Sequence, residues 1–371
     1  MGFSILGIGT AVPGTSITQS QSLRLARLFS ADDPNICDSL ESLYLNSNIQ
    51  QRAVVFPQLV ISALDSGNDE SESILARCHD NGGPSTEERV KLVDEAAAPL
   101  AIAAISQALD EAQITPCQVT HLLTASSTTG MSPGFDLKAI KELGIPSHVS
   151  RTNIGMMMCH AAINGLRVAT AFAHYDPQAV VVFCALEICS AHYDFNPSPK
   201  KLVPNAIFSD GAAAVVGRMG KGHGWNVDSC AGFVFTDESD RLTIGFGSHG
   251  LDMKLSTRVP RLIEKYLGSA IADWLRKEGL SIGDVKSWAI HPGGPRILDV
   301  AAASIGIPIT SLRDSWDVLA QYGNMSSPTV LFILKRLIEK DAELPCVAIS
   351  FGPGLAVECA LIGHEQGTRS L

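Results

Sequence analysis

Three near-continuous apolar runs, VTHLLTAS (119–126), AVVVFCAL (179–186) and PCVAISFG (345–352), constrain this chain more than any other feature. A strand with one wet face alternates apolar and polar residues, so runs of this kind predict strands covered on both faces. Covering both faces of a sheet requires further layers, and alanine-rich helical segments stand between the runs. The chain therefore reads as a layered α/β protein. The longest apolar run, AVVVFCALEIC (179–189), contains Glu187 and is too short for a membrane span of roughly 20 residues. A helix is predicted from Ser85, which forms a capping-box pair with Glu88, and it is apolar almost all round, as a buried central helix would be.

The strands and helices recur in the same order in the two halves. HLLTASSTTG (121–130) is followed by a helix, Cys159, a second helix and the strand at 179–188. SWAIHPGG (287–294) is followed by a helix, Asn324, a second helix and the strand at 345–352. Identity between the halves is weak, so the repeat is one of pattern. It predicts two pseudo-symmetric halves, 1–218 and 219–371, with Cys159 and Asn324 at equivalent helix N-termini. His291 ends a strand, where open α/β sheets place their ligands.

Composition narrows the function. With 371 residues, 46% hydrophobic and 18% charged, the chain can bury large cores and is not disordered. A net charge of −10 argues against a general nucleic-acid binder. The opening MGFSILGIGTAVPG carries no basic n-region and does not read as a signal peptide. The nine cysteines include no CxxC pair, so they suit neither zinc nor a compact disulfide framework. Eight of them read as buried apolar thiols in a reduced, cytoplasmic protein. The acidic segment LDSGNDESES (64–73) reads as a solvated loop.

Cys159 differs from the other eight. It opens an amphipathic helix, where the positive end of the macrodipole favours a thiolate and a nearby imidazolium would lower its pKa further. That is the environment of a nucleophile. His291, in AIHPGGPRIL, is presented by a Pro-Gly-Gly turn, and Asn324, in QYGNMSSPTVLFIL, stands between a glycine and a helix. Each alone has an ordinary structural explanation, but together they form a constellation.

The segments ILGIGTAVP, IQQR (49–52), the cysteine helix, IFSDGAAAVVG, GLDMKL, HPGGPRIL, YGNMSSPTVLFIL and SFGPGLAVECALI resemble the type III polyketide synthases, the chalcone synthase-like branch of the thiolase superfamily. The resemblance runs from about residue 4 to 363. It implies a thiolase-like five-layered αβαβα fold, a homodimer, and an acyltransferase that needs no metal or redox cofactor. Cys159 matches the nucleophile that carries the acyl chain. His291 and Asn324 match the pair that stabilises the enolate of malonyl decarboxylation and the oxyanion, and His291 would keep Cys159 a thiolate. Phe208 matches a gatekeeper between tunnel and cavity. Met253 stands where chalcone synthases carry a second gatekeeper phenylalanine, and His192 where plant enzymes have a small hydroxyl residue. Ser326 is retained. Thr128, in a segment TTGMSPG (128–134) one residue shorter than its plant counterpart, and Gly352 and Pro353, in SFGPG, belong to the expected cavity wall. SFGPG and GIGTAVPG lack phosphate-loop and dinucleotide spacing. Met156, Met157 and Met158 read as core filling.

These departures make naringenin chalcone an unexpected product and point to pyrone or resorcinol rings. The alternatives are a single-condensation ketosynthase fed by an acyl carrier protein, a non-catalytic partner subunit, and a thioester hydrolase. The carrier is open at this stage. The helix CDSLESLYLNSN (37–48), where the family usually places cations for coenzyme A phosphates, has none. Ser39, Ser42 and Asn46 supply only neutral donors. Arg296, Lys200 or Lys201 could substitute, or the acyl group could arrive on a carrier protein.

Overall fold

The computed structural model describes residues 2–29, 34–56, 83–195, 201–220 and 224–363, with side chains at 29 and 34–39 excepted. The acidic 64–73 segment and Lys200 lie outside the described residues, as does the side chain of Ser39. Nine strands form one mixed sheet: β1 (Phe3–Ala11), β4 (His121–Ser126), β5 (Ser150–Gly155), β6 (Val180–Ile188), β7 (Asp210–Met219), β8 (Asn226–Val234), β11 (Ser287–Ile290), β12 (Cys346–Gly352) and β13 (Ala356–Ile362). Their order is β11-β12-β13-β8-β1-β7-β6-β4-β5. Two hairpin-like pairs complete the strands: β2 (Ser16–Thr18) with β3 (Gln51–Ala53), and β9 (Leu242–Gly247) with β10 (Gly250–Leu255).

The repeat predicted from sequence is present in the strand senses. From β1 outward, β7 and β6 follow antiparallel and β4 parallel. From β8 outward, β13 and β12 follow antiparallel and β11 parallel. The halves meet where β1 pairs antiparallel with β8 through Phe3–Val227 and Ser4–Asn226.

Alternation along the strands builds five layers. In β6, Val181, Phe183 and Ala185 face a core shared with the helices Ala161–Tyr175 and Pro328–Glu339. Val182, Cys184 and Leu186 face the helix Thr86–Ala112 on the other side. In β12, Cys346 and Ala348 point to the shared core, and Val347 and Ile349 to the helices Val259–Lys277 and Pro295–Ile305. Every residue of β6 and β12 is buried, as their uninterrupted apolarity requires.

Two expectations change. The Thr86–Ala112 helix begins with the Ser85–Glu88 capping box, but it lies in an outer layer and exposes Glu95, Pro99, Ala103 and Gln107. The helices buried between layers are Ala161–Tyr175 and Pro328–Glu339, the latter with all residues from Pro328 to Leu334 buried. By length and composition Thr86–Ala112 also qualifies as a membrane-crossing helix, although its apolar face packs on β1 and β7. That packing explains the glycines of GIGT: a Cβ on Gly9 would lie 1.9 Å from the carbonyl oxygen of Ala104. Met156 and Met157 are exposed, at 41% and 42%, so only Met158 of the methionine run fills the interior. Cys117 is also exposed, while Cys37 and Cys78 lie outside the described side chains.

Candidate active site

Cys159 stands in a tight turn, Met158–His160, that opens the Ala161–Tyr175 helix after β5. Cys159 therefore stands at the N-terminal, positive end of a 15-residue helix. Met158 adopts the left-handed region (φ 52°), and its N–H donates to Ser127 Oγ at 2.8 Å. A non-glycine residue there costs about 1 kcal/mol or more, which the surrounding packing must offset.

Asn324 occupies the equivalent place before the Pro328–Glu339 helix. Its backbone is fixed to the segment on either side of Phe208, with its N–H donating to Ile207 O and its carbonyl accepting from Ser209 N–H, both at 2.9 Å. The N–H of Ser326, itself left-handed (φ 59°), donates to Asn324 Oδ1 at 2.8 Å. With the carbonyl end of the amide engaged, its NH₂ end serves as the donor on the Cys159 side. His291 directly follows β11, and its N–H donates to Ile349 O on β12 at 2.8 Å. The ring is fully buried, and neither Nδ1 nor Nε2 has a hydrogen-bond partner.

These three side chains line one cavity of about 590 Å³. Its far wall is apolar, with Leu242, Ile244, Leu255, Val259, Ile263 and Ile297, while Gly352 and Pro353 close it beside Phe351. A second chamber of about 560 Å³ adjoins it and holds Thr128 and His192. Met158, Phe208, Ile244 and Met253 line both, so the two sequence-predicted gatekeepers stand on the partition. Ser326 lies beside Cys159 but outside either lining.

Two polar candidates are already engaged. Leu251 N–H donates to His192 Nδ1 at 3.3 Å, so Nε2 carries the proton and donates to Thr128 O at 3.0 Å. Burial pushes this imidazole down to about 4, leaving a neutral strut between two cavity walls. Thr128 Oγ1 donates to Glu187 at 2.9 Å and accepts from Ile188 N–H at 2.9 Å.

Glu187 and Arg52 were not singled out from sequence. The Glu187 carboxyl, fully buried, accepts from Ser127 N–H and Thr128 N–H at 3.0 Å and from Ser327 Oγ at 3.1 Å. It joins the loop after β4 to the turn after Asn324, and burial pushes it up to about 7. A lone acid inside an apolar strand was the available signal. Arg52, from IQQR, donates to Asn205 O at 2.8 Å and Phe208 O at 2.6 Å, fixing the backbone that carries Phe208. Its guanidinium is buried, so this cation is structural.

Burial works against the expected thiolate. Burial pushes the Cys159 thiol up to about 12, although Ser326 and Asn324 pull it back in part. Burial and the neighbouring His160 push His291 down to about 3. Burial in an apolar chamber, which penalises each charge, thus works against the helix dipole and the neighbouring donors at this pair. Among the described residues, no group of three His, Cys, Asp or Glu side chains could hold a metal ion.

Of the alternative cations, Lys201 is paired with Asp194 at 2.9 Å and Asp252 at 3.2 Å, and Arg296 is exposed. The helix expected at 37–48 runs instead over Pro34–Leu45; Asn46, just beyond it, donates from Nδ2 to Ser42 Oγ at 3.1 Å, and Glu41 pairs with Arg27.

This layered architecture, with a cysteine at one interior helix start and an asparagine at its counterpart, is that of the thiolase-like enzymes. The structure of PKS-I from the brown alga Ectocarpus siliculosus superposes with a TM-score of 0.88 at 28% identity, covering 98% of each chain. The 1,3,6,8-tetrahydroxynaphthalene synthase of Streptomyces coelicolor superposes at 0.86 with 26% identity, covering 99% of this chain and 100% of that one. The family profiles described as chalcone and stilbene synthases, N-terminal and C-terminal domains, match residues 2–220 and 229–364. In sequence, the Mycobacterium tuberculosis protein named alpha-pyrone synthesis polyketide synthase-like Pks18 is 30% identical over 367 residues, or 95% of this chain and 89% of the relative. The 3,5-dihydroxyphenylacetyl-CoA synthase of Amycolatopsis balhimycina is 30% identical over 366 residues, 96% and 91% of the two chains. The chain belongs to the chalcone and stilbene synthase family, the type III polyketide synthases, and is an acyltransferase of that class.

Proposed function

We propose that this enzyme loads an acyl starter on Cys159, extends it with malonyl thioester units and cyclises the product to a pyrone or resorcinol-type ring. One observation carries the reading: Cys159, from one half, and His291 and Asn324, from the other, line a single mostly apolar cavity. In loading, Cys159 Sγ attacks the thioester carbonyl as its proton passes to an open ring nitrogen of His291, and the carrier thiol leaves. Malonyl thioester then loses CO₂. The resulting enolate oxygen takes donors from the Asn324 NH₂ and His291, in a dry chamber where such donors act strongly. The enolate carbon attacks the acyl carbonyl, the Cys159 thiolate leaves, and the chain is two carbons longer on the carrier.

The starter and extender arrive as coenzyme A thioesters, and no further cofactor takes part. The enzyme works in a reducing cytoplasm, consistent with free thiols at all seven described cysteines. It works as a homodimer. Met131, Met156 and Met157 are exposed beside β5, whose outer edge is unpaired in the sheet, and these features support that assembly. The same reading divides the chain at 218/219, at the last residue of β7.

Mass spectrometry of the Cys159 peptide after exposure to fatty acyl and malonyl thioesters, each on coenzyme A and on a carrier protein, tests this proposal. Acyl-Cys159 from coenzyme A substrates, with pyrone or resorcinol products, is expected. Labelling by the carrier protein alone would overturn the coenzyme A assignment. A β-ketoacyl product alone would overturn cyclisation, and free acid alone would indicate a hydrolase.

A further inference from the structure

His160, the residue after the nucleophile, is buried and takes no part in the chemistry above. Its Nδ1 lies 2.8 Å from Asn164 Oδ1, one helical turn on, which holds the ring in one orientation. The opposite edge of the ring rests on Gly352: a Cβ there would lie 2.0 Å from His160 Cδ2 and 2.5 Å from Nε2. Gly352 has no positive φ, so its backbone would accept alanine, and the three atoms nearest to such a Cβ all belong to the imidazole. Gly352 also ends β12, and β12 holds His291 through the Ile349 O to His291 N hydrogen bond. An unbroken series of contacts therefore runs from Cys159 through the His160 ring to Gly352, along β12, and back to His291. It crosses from one half of the fold to the other.

We propose that His160 is a positioning residue, a spacer whose ring sets the separation between the Cys159 turn and the strand that holds His291. The inference rests on the assignment of Cys159 and His291 as the reacting pair. The ring's charged neighbours are Glu358 on β13, Arg167 on its own helix, and His291 itself. Glu358 and Arg167 are paired with each other, so the ring fits between them and the cavity as a neutral body.

A double-mutant cycle on the full-length enzyme tests the spacer, read by iodoacetamide alkylation of Cys159 at neutral pH. Gly352→Ala should displace the ring and slow alkylation by about tenfold, the scale expected of a small misplacement of reacting groups. In the His160→Ala background the same change should cost about twofold or less, because the clashing ring is gone. An equal cost in both backgrounds, or no cost in the wild type, overturns the proposal. If Gly352→Ala does not fold, the melting transition becomes the readout: recovery in the double variant supports the spacer, and failure to recover overturns it. Asn164→Ala frees the ring without adding volume. It should shift the pH profile of alkylation with the melting midpoint little changed, and an unmoved profile again overturns the proposal. A cycle that behaves as expected while no thioester acylates wild-type Cys159 would instead remove the synthase reading and leave the spacer standing.

Discussion

At the scale of single residues, the proposed chemistry rests on three side chains that line one mostly apolar cavity. Cys159→Ala should abolish acyl-enzyme formation, read by mass spectrometry. His291→Ala and Asn324→Ala should each slow malonyl decarboxylation by more than about tenfold, the usual cost of removing a donor from a developing oxyanion. Retained decarboxylation in both would take them out of the mechanism. Glu187 makes a pH prediction of definite sign. Its folded pKa of about 7 lies above the roughly 4.3 of an unfolded carboxyl. Its contribution to stability is therefore complete at low pH and lost as pH rises through 7. Urea unfolding should show Glu187→Gln gaining on the wild type by on the order of 1–3 kcal/mol between about pH 5 and about pH 8. A difference independent of pH would mean that this carboxyl stays ionised in the folded protein.

At the scale of elements, local sequence signals and close packing can be tested separately. The Ser85–Glu88 box is reciprocal in the structure, with Ser85 N–H donating to Glu88 at 2.8 Å. Ser85→Ala should cost about 1 kcal/mol in unfolding measurements. Gly165 lies where the Ala161–Tyr175 helix meets β6, and a Cβ there would fall 2.1 Å from the ring of Phe183. Gly165→Ala should destabilise by about 1–3 kcal/mol through overpacking, well beyond a helix-propensity change, which would favour alanine. The cap was legible from a four-residue spacing. The glycine was not, because its reason is a residue 18 positions away on another element.

At the scale of the whole molecule, the proposed active site lies where the two halves meet. Cys159 comes from one half and His291 and Asn324 from the other, joined by β1–β8 pairing and by the partly exposed Arg167–Glu358 ion pair. The proposed dimer adds a further level. Replacing Met156 and Met157 together by aspartate should convert dimer to monomer in analytical ultracentrifugation. A dimer that persists would place the interface elsewhere.

What could be read along the chain was set by periodicity and motif. Uninterrupted apolar strands required cover on both faces, the repeat of order set the pseudo-symmetry, and HPGG, YGNMSS and the helix after Cys159 marked the three residues that line the cavity together. These signals are short-range or translational, and a linear sequence retains them. The tertiary structure alone decided which helices are interior, which methionines are exposed, and that the His192 ring and Thr128 hydroxyl are spent on wall-to-wall hydrogen bonds. It also set burial against the expected imidazolium–thiolate pairing of Cys159 and His291. Burial and hydrogen-bond partnership depend on neighbours from distant elements, and desolvation outweighs a helix dipole only once those neighbours have excluded water.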